Sequence, residues 1–177
     1  MRMANDQKLD FIKNELAYEL RCLLGSEVVW RALRREDAGY GVIVAMDWVL
    51  VHSRCLFKFF TQSHSTVDIA LNDLVGMGPY TSPLFTTWEE PINRHVQHIS
   101  GGRLNPHNIQ GEDQLSELMS DFKNEIVTLW EKAEIDLGAN DFGKAMEAAR
   151  TEALKNIVDD ANKFDSLRFV EPRASIS

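Results

Sequence analysis

Apolar residues recur at helical spacing through most of this chain, and nowhere do they alternate with the period of two that marks a half-buried strand. Over residues 6–24 the stripe is Leu9, Ile12, Leu16, Leu20, Leu23 and Leu24. Gly25 and Ser26 interrupt it, so a separate short helix is expected over 27–35, followed by a charged, glycine-containing turn. The strongest pattern covers 42–62, where Ala45, Trp48, Val49, His52, Leu56, Phe59 and Phe60 form one wide aromatic stripe. Asp47, Arg54, Lys58 and Thr61 fall opposite it, which places Arg54 on the surface of a central core helix.

Residues 63–90 are less regular. A short helix is expected over 67–74, and Gly76, Gly78, Pro79 and Pro83 then punctuate a loop that could act as a lid. Pro91 fits the first turn of a new helix over 91–100, stopped by Gly101 and Gly102. Two long helices follow. The first, over 113–136, buries Leu115, Leu118, Met119, Phe122, Ile126, Leu129, Trp130 and Ala133, and Gly138 ends it. The second starts at the N-cap Asn140 and runs to 164, with Phe142, Ala145, Met146, Ala149, Leu154, Ile157, Val158 and Ala161 on its apolar face. The expected architecture is all-α: a single-domain helical bundle of about five main helices over residues 1–170, with a loose tail at 171–177.

Composition supports this and narrows the function. A 177-residue chain with 44% hydrophobic residues can bury a core without staples, so Cys22 and Cys55 read as buried thiols in a reducing compartment. The net charge of −8 is unevenly placed: residues 112–165 hold 14 acids and 6 bases, whereas residues 1–111 hold 12 acids and 11 bases. A chain with no basic face does not bind duplex DNA through its phosphates, although a local anion site remains open. The most apolar run, 41–51, is broken by Asp47 and falls short of the roughly 20 residues that span a bilayer. With no signal-type apolar core near the N-terminus, the expectation is a cytoplasmic protein with no membrane contact.

Candidate chemistry concentrates in residues 92–111, which contain no Asp or Glu but carry Arg94, Arg103, His95, His98 and His107. On a helix over 91–100, Ile92, Val96 and Ile99 form the apolar stripe, and Arg94 and His98 stack on one polar face. His95 lies between that face and the stripe, and Asn93 and Gln97 occupy the other flank. Arginine presents a fork of donors matched to phosphate oxygens, and histidine exchanges protons near neutral pH. Such a pair could hold a phosphodiester and move a proton without a metal; a solvated polar face has the same spacing. His95, Gln97, Arg103 and His52 are the accompanying candidates for binding. His52, in the middle of the central stripe, reads either as a buried, hydrogen-bonded core residue or as a group that faces the short helix and orients it. No HExxH, paired CxxC, P-loop, GxGxxG or GxSxG occurs, so no metal and no cofactor are expected.

Three ordered segments carry a family resemblance. The central helix MDWVLVHSRCLFKFF holds His52, Arg54, Leu56, Phe59 and Phe60 in a His-x-Arg-x-Leu-x-x-Phe-Phe order. TVDIALNDL follows with Asp68 and Asp73, and then Asn93, Arg94, Val96, His98, Ile99 and Ser100 fit an Asn-Lys/Arg-x-Val/Ile-x-His-Leu/Ile-Thr/Ser motif. Over about residues 40–135 the chain resembles HEPN-like helical bundles, most of them uncharacterised bacterial proteins. The resemblance implies a bundle that often dimerises. In active members an arginine and a histidine four to six residues apart meet across the two-fold and cut RNA without a metal, in toxin, antiphage or RNA-processing settings. His98 matches the family histidine. A four-residue spacer, however, puts Asn93 in the arginine's place, a six-residue spacer puts Pro91 there, and Arg94 is closer than either.

The register of the arginine favours a non-catalytic binding or regulatory module, acting as a homodimer or with a protein partner. The alternative is a metal-independent ribonuclease with His98 as general acid/base, Arg94 as phosphate clamp and Asn93 holding the backbone of an RNA or nucleotide ligand. A small-molecule enzyme using the bundle core is a third reading with no specific support in the sequence.

Overall fold

The first helical rod runs further than its apolar stripe predicts. In the computed structural model, which describes residues 3–35, 40–63, 69–97 and 112–167, α1 (Asn5–Phe11) passes through a π-helical stretch (Ile12–Leu16) directly into α2 (Ala17–Arg35). Gly25 and Ser26 do not break it. The Ser26 hydroxyl bonds back to the Cys22 carbonyl one turn earlier, and so stays within the helical register. The π stretch is marked by the Ala17 N–H reaching the Ile12 carbonyl five residues back.

The central helix, α3, spans Tyr40–Thr61 and packs against α2 on one side and against α5 and α6 on others. That placement revises the one-stripe reading. Leu50, Ser53 and Phe57 are buried as well as Val49, Leu56, Phe59 and Phe60, because α3 has neighbours on more than one face. Trp48, assigned to the core stripe, is instead 53% exposed.

After the short α4 (Leu71–Val75), the chain turns at Gly76, whose φ of 72° is a left-handed conformation that glycine adopts without penalty. The expected start at 67 falls in residues outside the described set. The Lys8 ammonium caps the end of α4 by donating to the Leu74 carbonyl. Next comes α5, which spans Pro83–Gln97 rather than beginning at Pro91. Its start is a Ser-Pro signal: the Ser82 hydroxyl accepts the Phe85 N–H at 3.1 Å, and Pro83 occupies the first helical position. Pro91 therefore sits inside the helix, and its cost of about 3 kcal/mol falls on a helix anchored by buried Phe85 and Ile92. The stop at Gly101 and Gly102 lies outside the described residues.

The two long helices follow expectation. α6 spans Glu112–Leu137 and ends at Gly138 (φ 63°), and α7 spans Asp141–Leu167 with Asn140 as N-cap, its side-chain oxygen accepting the Gly143 N–H at 2.9 Å. Leu154 departs from the expected face: it is half-exposed, and Ala153 takes the buried place. Among the described residues every element is helical, and their buried side chains form one cluster to which α2 through α7 all contribute. No helix of the described residues is long and apolar enough to cross a membrane. Cys22 and Cys55 are in no disulfide and are half-buried rather than sequestered.

The 76–82 loop is pinned rather than free to serve as a lid. The Tyr80 N–H donates to the Phe60 carbonyl at 2.9 Å, and its ring stacks on Phe60. The Tyr80 hydroxyl donates to Asp136 at 2.9 Å, and Lys132 bonds the same carboxylate oxygen at 2.8 Å. Burial first, and then the bond to Asp136, raise the Tyr80 pKa well above 10.0. The folded value therefore lies above the unfolded one. The stabilisation is complete below pH 10.0 and is lost as pH rises through the folded value. In urea melts at alkaline pH, the wild type should lose stability more steeply above pH 10.0 than Tyr80→Phe does. Parallel curves would show that the hydroxyl is not held.

Candidate functional site

Among the described residues, two side-chain hydrogen bonds join α3 to neighbouring helices, and both involve residues singled out by sequence. On the α2 side, His52 Nδ1 lies 2.8 Å from Glu19 Oε2, and both side chains are largely shielded from solvent. The imidazole N–H donates and the carboxylate accepts. His52 is thus a buried, hydrogen-bonded residue that faces α2, not a group that orients the polar edge of α5. Its ring is flanked by Tyr18 at 6.2 Å and Trp48 at 6.0 Å between centroids, both edge-on. The Tyr18 pKa is raised, chiefly by its hydrogen bond with the neighbouring Cys22, so its hydroxyl stays protonated.

On the α5 side, Arg54 Nε donates to the Asn93 side-chain oxygen. Arg54 is half-buried, which corrects its placement on the open surface. It lies opposite His52 on α3 as expected, but α5 covers that side. The α3 residue that meets the polar edge of α5 is therefore Arg54 rather than His52. Asn93, expected to hold a substrate backbone, has its carbonyl oxygen engaged by this guanidinium.

The other candidates are less fully placed. Arg94, His95 and Gln97 lie on the last turn of α5, and their side chains are outside the described residues, as are His98, Arg103 and His107 altogether. Among the described residues no group of three or more His, Cys, Asp or Glu side chains is arranged to hold a metal ion.

Sequence reasoning missed Glu19, Tyr18 and the role of Arg54. Glu19 sits one position before Leu20 in the α2 stripe, and such a flanking carboxylate is the signal that could have paired it with a core histidine. A groove of about 300 Å³ opens beside both contacts, between the π-helical stretch and α3, with Glu15 and Glu19 on one wall and Arg54 and Lys58 on the other. No protein-family model, curated protein or solved structure matches this chain.

Proposed function

We propose that this chain is a non-catalytic helical binding module that self-associates through the seam between α2 and α3. The observation that carries the reading is the pair Tyr18 and Trp48, 55% and 53% exposed, standing on either side of the His52 ring. Val44, one turn before Trp48, is exposed beside them. Exposed tryptophan and tyrosine on a rigid two-helix surface are the residue types that dominate protein interfaces. Electrostatics favours a second copy at this place. The acidic excess belongs to residues 112–165, so two copies meeting through α2 and α3 bring together their near-neutral parts. The resemblance to HEPN-like bundles, which often pair, supports the same reading. The engagement of Asn93 by Arg54 supports the non-catalytic side of it.

Sedimentation equilibrium should find a dimer in the wild type, and Trp48→Asp should weaken it at least about tenfold, the cost of removing one interface anchor. Far-UV circular dichroism should stay unchanged, because Trp48 is exposed. A wild type that stays monomeric at all concentrations overturns the reading. Mixed RNA incubated with the protein in EDTA should remain intact. Cleavage that disappears in His98→Ala would replace the binding module with a nuclease.

A further inference from the structure

We infer that the groove between the π-helical stretch and α3 is a binding site for a free α-amino acid with an apolar side chain. Its walls carry opposite charges. Glu15 and Glu19 line one side and Arg54 and Lys58 the other, and no ion pair joins Arg54 to either carboxylate. Arg54 uses only Nε, toward Asn93, and its terminal nitrogens make no hydrogen bond among the described residues. Among the described residues Glu19 uses one oxygen, toward His52, and Glu15 uses none. Between the charged rims lies an apolar floor that includes Leu16 and Phe59, bordered by Phe11.

A ligand that satisfies both walls carries an ammonium and a carboxylate on one carbon and an apolar body below them. The two glutamates stand four residues apart along the rod, an arrangement of like charges that destabilises a helix until a cation sits between them. A terminal guanidinium fork matches a carboxylate by two parallel hydrogen bonds. Size agrees, since about 300 Å³ is at the small end of ligand pockets, which suits one amino acid and not a nucleotide. The glutamates also repel phosphate, which removes the nucleotide ligand from this groove. The π-helical stretch widens the helix where the site opens, as such insertions often do at binding sites. The groove is lined by residues of one copy alone, so binding does not depend on self-association.

Isothermal titration of the full chain with L-leucine, L-methionine and L-phenylalanine tests this. At least one should bind, and its N-acetyl and carboxamide derivatives should each bind about tenfold more weakly, the loss of one charged hydrogen bond. Glu15→Gln, at an exposed position that leaves folding intact, should weaken binding by a similar factor, as should Arg54→Gln. Absence of binding by all three amino acids overturns the proposal, and so does equal binding by the carboxamide or by Glu15→Gln. Binding that persists under conditions where the protein is monomeric separates this result from the fate of the dimer.

Discussion

Trp130→Ala should lower the unfolding free energy by about 3–5 kcal/mol, the range for removing a fully buried large aromatic side chain. Trp130 has no solvent exposure and packs edge-to-face on Phe60 at 5.9 Å. Its indole N–H donates to the Met146 carbonyl at 3.1 Å, so one side chain joins α3, α6 and α7. A typical domain has only about 5–15 kcal/mol in total, so this single change removes a large fraction of it. For a chain of this length the melting temperature should fall by roughly 10 °C. Trp130→Phe separates the two contributions: it keeps most of the ring contact and loses the N–H, and should cost about 1 kcal/mol from the hydrogen bond together with a smaller packing loss. Urea midpoints for the two variants measure the difference. A loss below about 1 kcal/mol in Trp130→Ala would mean the indole is not a core residue.

The reason Trp130 could be picked from sequence, while Arg54 could not, is how the packing partners are spread around each helix. α6 presents one apolar face, and Leu118, Met119, Phe122, Ile126, Leu129, Trp130 and Ala133 are all buried as the 3.6-residue pattern requires. α3 is packed by α2, α5 and α6, so the side opposite its aromatic stripe is not water. Periodicity assumes one wet face, and it misassigned Trp48 and Arg54 on a helix where that assumption fails. The polar partners were out of reach for a different cause. His52 and Glu19 are 33 residues apart, and Arg54 and Asn93 are 39 apart, and no local pattern encodes which distant helix arrives beside a given turn. The start of α5 was legible after all: Ser82-Pro83 is a helix start of the same kind as the Asn140 cap that was recognised.

Glycine substitutions in two helices should move stability in opposite directions. In an ordinary helix interior Gly→Ala is favourable by about 0.5–1 kcal/mol, because alanine loses less backbone entropy on folding. Gly25 in α2 is such a place: an added Cβ meets nothing within 4 Å. Gly25→Ala should therefore raise the urea midpoint. Gly143, the third residue of α7, is different. A Cβ there runs into the carbonyl oxygen of Gly138 well inside contact distance, with the Leu137 Cβ only 3.3 Å away. Gly138 holds that carbonyl in place through its left-handed φ of 63° and its own N–H, bonded to the Glu134 carbonyl at 2.9 Å. The obstacle is backbone, so it cannot rotate aside as a flexible side chain would. Relief requires opening the α6–α7 turn, which would pull Gly143 N–H from the Asn140 cap and shift Met146 relative to Trp130. Gly143→Ala should thus destabilise by about 1–3 kcal/mol, the usual cost of overpacking. If both variants proved stabilising, the close approach of α7 to the Gly138 turn would be wrong, and with it the register in which Trp130 meets α7.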